Sequence, residues 1–266
     1  MEAMRRPTPI LPTLVLLLAV SGCKRPDDAP EDLDALCAYL FAHHPDDDPD
    51  ALVAGLVELE EWFEISWVDG EGYVINPLSE QAVDQVDEVD RSAVDMTGVA
   101  VGTVSSHDLD DAVRAWAATD QDVVYPKMFS WYEREYVGDV DCFMDRDCLR
   151  LEAEERYESK FALGLKTEVH GYNQYRWVEL DRGWGMVHRF WMMEPPNANS
   201  QFLEVDEQFY MNVVVPAQGG GHWRMQSMWI IYTQDSVPDS IAYNLTVNDL
   251  YDNSGELDDY LESLDD

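Results

Sequence analysis

Between residues 31 and 43 the apolar positions Leu33, Leu36, Cys37, Leu40 and Phe41 fall three and four apart, which predicts a helix with one buried stripe. The run from His43 to Pro49 breaks it. Asp48 as N-cap with Pro49 at the first helical position predicts a second helix to about Phe63, striped by Leu52, Leu56, Leu59 and Phe63. The two read as an antiparallel hairpin opening a helical region over residues 31–95, where a strand at 73–75 and a helix at 79–86 are also expected. A strand at 96–105 and a helix at 108–118, with Leu109, Val113 and Trp116 on one side, come next. From about residue 131 to 233 the chain is almost all strand signals, at 151–159, 163–170, 172–180, 185–193, 202–215 and 223–233, spaced as antiparallel hairpins. The run 202–215 alternates: Leu203, Val205, Phe209, Met211 and Val213 face one way, and Glu204, Asp206, Gln208, Tyr210 and Asn212 the other. That pattern predicts a sheet with one covered face and one in water. Pro238 then opens a helix through Ile241, Leu245 and Tyr251, extending past Gly255 through Leu257, Leu261 and Leu264.

The N-terminus carries a different pattern. Arg5 and Arg6 precede about 11 apolar residues from Ile10 to Val20, too few to cross a bilayer core, and Val20-Ser21-Gly22-Cys23 follows. This end resembles the bacterial lipobox. The resemblance implies that residues 1–22 are a cleaved signal peptide and that Cys23 carries a diacylglyceryl thioether and an acylated amine. Residues 23–30 would then form a polar tether. Several acyl chains on one residue suffice for stable anchoring, so the mature protein is expected to have a membrane as partner. Lys24 stands where the enterobacterial inner-membrane retention signal would be Asp, so the expected location is the cell envelope, lipid-anchored in the outer membrane.

The formal net charge is −37, with only four lysines, which argues against nucleic acid and anionic headgroups as partners. Cys142 and Cys148, close together and in an oxidising compartment, are the natural disulfide pair. Cys37 lies on a helix's apolar face and reads as a buried thiol, although its pairing with either loop cysteine stays open from sequence. The acidic residues around the loop do not make an EF-hand: Phe143, Met144 and Arg150 occupy ligand and turn positions. His43 and His44 lack further ligands at metal-site spacing, and no metal or cofactor is expected. No nucleophile elbow, phosphate loop or His-Glu-x-x-His is present.

The order of strand, short helices, long antiparallel sheet and C-terminal helix resembles the START-like helix-grip superfamily over residues 96–266. The marks are the strand at 99–105, the short-helix segment ending Asp122-Val123-Val124-Tyr125-Pro126, and Ser236-Val237-Pro238 before the last helix. The resemblance implies a curved antiparallel sheet with a long C-terminal helix, and a cavity between them used for apolar ligands. It leaves the N-terminal hairpin unexplained, and with that hairpin in front the expected fold class is α+β. Candidate lining residues are Met186, His188 and Phe190 on one strand, Leu203, Val205, Glu207, Phe209 and Met211 on another, and Ile241 and Leu245 on the helix. The abundance of tryptophan in the sheet adds to this reading. The expected function is binding of an apolar small molecule or lipid. The rival is an envelope structural or protein-interaction lipoprotein with no ligand cavity, and a third class is an enzyme using His188 and Glu207. The anchor is directly testable: Cys23→Ser is expected to give a soluble or uncleaved form. A variant that still enters the detergent phase with processed mobility overturns the lipobox reading.

Overall fold

The computed structural model describes residues 29–86, 97–160, 166–194, 197–198, 204–233 and 239–264. The expected signal, Cys23 and most of the tether lie outside these residues. The chain opens with α1 (Leu33–His43), α2 (Asp50–Ile65), β1 (Gly72–Ile75) and α3 (Glu80–Asp84). It continues through β2 (Thr97–Ser105), α4 (Leu109–Trp116), α5 (Gln121–Val124), β3 (Phe129–Tyr136) and α6 (Val140–Met144). The strands β4 (Arg150–Lys160), β5 (Lys166–Leu180), β6 (Gly183–Met192), β7 (Asn197–Ala198), β8 (Glu204–Pro216) and β9 (His222–Thr233) precede α7 (Asp239–Leu264). The sheet order is β1-β2-β9-β8-β6-β5-β4-β3, antiparallel throughout, with β7 paired to β5 off this path. The fold is the expected α+β arrangement of a curved antiparallel sheet with a long C-terminal helix.

Both faces of this sheet are covered, which corrects the expectation that one meets water. On one face α1, α2 and α3 bury Leu36, Leu40, Phe41, Leu52 and Leu56 against Phe209, Met211 and Trp229. On the other, α4, α6 and α7 bury Val113, Trp116, Phe143, Leu250 and Leu257 against Tyr175, Trp177 and Met186. The N-terminal region is therefore not a body ahead of the sheet. It packs on the sheet and contributes β1, which pairs with β2.

The helical stripes form as read. The Asp50 N–H donates to Asp48 Oδ1 at 3.0 Å, so Asp48 caps the start of α2 although the helix begins one residue later than expected. Cys37, fully buried, is a free thiol that accepts from Ser227 Oγ at 3.3 Å, and burial pushes its pKa up to about 12. The disulfide joins Cys142 to Cys148, with Cα atoms 5.2 Å apart. It closes the loop that carries Phe143 into the core, where the Phe143 carbonyl accepts from Trp177 Nε1 at 2.9 Å.

Two strands expected at 163–170 and 172–180 are one, β5, with no turn at Gly171. A Cβ there would lie 2.0 Å from the Phe190 ring, so the glycine makes room for a side chain crossing from β6.

The turn between α1 and α2 explains how polar alternate positions of the sheet can be buried. Arg189 donates to Phe41 O at 3.3 Å, and Arg176 donates to His44 O at 2.7 Å and to the Asp46 and Asp47 carbonyls. His44 Nε2 donates to Val187 O at 3.2 Å. Arg176 and Arg189 are 4% and 1% exposed, so these guanidiniums replace water at the end of α1. Arg176→Met leaves three turn carbonyls without that donor and is expected to lower stability by about 2 to 4 kcal/mol in urea unfolding. An unchanged midpoint would show that water serves the turn equally well.

Candidate functional site

The face opposite the N-terminal helices carries a partly open cavity of about 80 Å³. Its floor comes from alternate residues of five strands: Tyr132 and Arg134 of β3, Glu155 and Tyr157 of β4, Asn173 and Tyr175 of β5, His188 and Phe190 of β6, and Gln208, Tyr210 and Asn212 of β8. Trp116 at the end of α4, Gln121 and Tyr125 of and after α5, and Asn253 of α7 form its roof. Lys127 Nζ and Glu256 of α7, 3.3 Å apart, tie the turn after α5 to the last helix.

Two polar systems lie in this lining. The first centres on Arg134, whose side chain is 4% exposed and pairs with Glu155 at 2.9 Å. Its other nitrogen donates to Trp116 O and, at 3.0 Å, to Ala118 O, while the Tyr136 hydroxyl donates to Ala117 O. These carbonyls end α4, so the ion pair also docks that helix. Burial opposes the charge on Arg134, but the Glu155 carboxylate at 2.9 Å offsets that and keeps the guanidinium charged. Burial raises the tyrosines, Tyr125 to about 12 and Tyr132 and Tyr157 well above their usual range, so all remain hydroxyls.

The second system is a row across three strands. His188 Nε2 donates to Asn173 Oδ1 at 2.7 Å, and its Nδ1 accepts from Asn212 Nδ2 at 3.1 Å. Tyr175 stacks on the imidazole with centroids 4.4 Å apart. Burial and then the Arg134 charge push the His188 pKa well below its ordinary value, so the ring is neutral. Asn173 Nδ2, Asn212 Oδ1 and Arg134 Nε are buried with no hydrogen-bond partner. Among the described residues, no three His, Cys, Asp or Glu side chains converge to hold a metal ion.

The candidates from sequence divide across the sheet. His188 and Phe190 line the cavity, and Met186 is buried in the core on the same side. Phe209 and Met211 do not. The register pairs Met186, His188 and Phe190 with Val214, Asn212 and Tyr210, which puts Phe209 and Met211 on the opposite face, where Phe209 meets Phe41 edge-on at 5.9 Å. The alternation of β8 was legible, but its more polar series faces the cavity and its apolar series faces α1 and α2.

Glu207 shares the parity of Phe209, is half-buried and is not in the cavity lining with His188, so the two residues of the third, enzymatic alternative are not brought together. A register shift between Val205 and Glu207 interrupts the regular pairing of β8 with β9 there. Leu203 and the side chains of Val205 and Ile241 lie outside the described residues. Leu245 is 46% exposed on α7 and closes nothing, because the helix's buried seam runs through Thr246, Leu250, Asn253, Ser254, Leu257 and Leu261. Arg134, Glu155, Asn173, Tyr175, Tyr210 and Asn212 were missed as site residues. They are polar or tyrosine residues at alternate strand positions, a pattern that in sequence reads equally as a water-facing series.

Three histidines are buried and neutral: His44 and His188 with pKa values well below 6.5, and His222 at about 4, each chiefly through burial. The unfolded chain binds these protons near pH 6.5 while the folded one does not, so their contribution is intact above 6.5 and is lost as pH falls. The slope is roughly 1.4 kcal/mol per pH unit for each histidine. His222 donates to His107 O and faces Arg224, Asp258 and His107. His222→Gln is expected to reduce the slope between pH 6 and 4.5 by about one proton. An unchanged slope in urea titrations would refute the assignment.

No known family's sequence profile matches the chain, and no curated protein matches it. Solved structures do. The chain is similar to a STAR-related lipid transfer protein from Xanthomonas axonopodis at 12% identity and TM-score 0.48, over 74% of this chain and 96% of that one. It is similar to human STARD10 at 10% identity and TM-score 0.45, over 84% and 85% of the two chains. A START superfamily protein from Mycobacterium smegmatis matches at 8% identity and TM-score 0.41, over 63% and 98%. At these identities and TM-scores the likeness is one of overall architecture alone.

Proposed function

We propose that this chain is the binding module of a membrane-anchored envelope lipoprotein, held by lipid on Cys23, that takes one small, largely apolar molecule between the sheet and α4, α5 and α7. The observation carrying this reading is the cavity itself, with aromatic walls and a hydrogen-bonding floor. The cavity of about 80 Å³ compares with roughly 10 to 15 Å³ needed per water. It therefore suits a single-ring molecule, and a whole lipid chain would need more room than this volume offers. The membrane partner of the reading rests on the Val20-Ser21-Gly22-Cys23 sequence, since among the described residues no helix is long and apolar enough to cross a bilayer.

The small volume favours one second reading, a structural or protein-interaction lipoprotein whose void holds only water. Native mass spectrometry of the chain from its own host, alongside Gln208→Trp, separates the two. Gln208 is half-buried in the lining, and a larger ring there can enter open space. Binding predicts a retained molecule in the parent, its loss in the variant and an unchanged melting temperature. A bare parent mass with a variant destabilised by about 1 to 3 kcal/mol would favour the structural reading.

A further inference from the structure

The cavity floor is specific about the charge and hydrogen bonding of whatever enters it. Arg134 is the cation of the lining and is already matched by Glu155 at 2.9 Å. The imidazole between the two asparagines is oriented at both nitrogens, donating to Asn173 and accepting from Asn212. The floor is thus electrically balanced before any ligand arrives, and a charged ligand would be buried without a counterion.

Its unused capacity is of both kinds. Asn173 and Asn212 are 1% and 4% exposed, and each keeps one amide atom unpaired: a donor at Asn173 Nδ2 and an acceptor at Asn212 Oδ1. Reversing the imidazole tautomer turns both amides over and exchanges these roles, so the row always ends in one donor and one acceptor. Arg134 Nε adds a second unpaired donor, whereas the Tyr210 hydroxyl is already hydrogen-bonded to Asn212. A carboxylate offers acceptors alone and an ammonium donors alone.

We infer that the Asn173–His188–Asn212 row recognises the uncharged polar group of an apolar ligand, one that both donates and accepts, such as a carboxamide or hydroxyl, and rejects carboxylates and amines. This rests on the cavity reading above and narrows its ligand class.

The test is a protein-observed NMR titration of the full chain at pH 7 with five single-ring probes: benzamide, benzyl alcohol, toluene, benzoate and benzylamine. Benzamide and benzyl alcohol are expected to bind about tenfold or more tightly than benzoate, benzylamine and toluene. Asn173→Leu should bring benzamide down to the affinity of toluene while toluene itself still binds. Asn212→Leu makes the same measurement should the first variant fail to fold. Toluene equal to benzamide, or benzoate or benzylamine tightest, overturns the inference and leaves the cavity reading standing. Shifts with none of the five overturn both, and the unpaired amide atoms then serve water.

Discussion

A helix that ends against a sheet brings its last carbonyls into a place water cannot reach, and those oxygens must find donors inside the protein. This chain meets that requirement with arginines carried on the sheet. Arg189 and Arg176 reach the end of α1 and the turn after it, and Arg134 reaches the end of α4 from the other face. Arg224, fully buried, holds Ser254 O at 3.1 Å and Asp258 at 2.8 Å in α7. Helices can cover both faces because strands between them present long cationic donors at alternate positions. The cavity follows from the same arrangement, since Arg134 both docks α4 and supplies part of the floor.

That arrangement decides what could be seen in the sequence. The α1 and α2 stripes were legible because apolar residues alone form them. So was the Cys142–Cys148 pair, whose short spacing leaves the cysteines little freedom. The sheet was harder. Polar residues at every second position, as in Gln208, Tyr210 and Asn212, look the same whether they face water or a buried network, and local pattern cannot separate the two. The choice of face for Phe209 and Met211 failed for that reason. Gly171 misled in another way, because a glycine that admits the Phe190 ring has the same letter as one that makes a turn. In α7 the seam contains Thr246, Asn253 and Ser254, so apolar spacing pointed to Leu245, which is exposed.

The protein separates its charges sharply. A chain of net charge −37 keeps many of its carboxylates outside, while several arginines and neutral histidines lie within. The cavity is the meeting point of these two regimes: polar enough to orient a ligand, yet with its one ion pair closed on itself. Selectivity in such a place comes from matching hydrogen bonds in a low-dielectric setting, where an unpaired group is costly, more than from attraction at long range.

Cys37 gives the fold a built-in probe. With its pKa at about 12, only on the order of one thiol in 10⁵ is ionised at neutral pH, and α1 shields it against β9 through Ser227. A thiol reagent can reach it only through an opening that uncovers this fully buried position. The extent to which it is modified under native conditions therefore reports how readily this face of the sheet is uncovered, as an opening population when reclosing outpaces the reagent and as an opening rate when it does not.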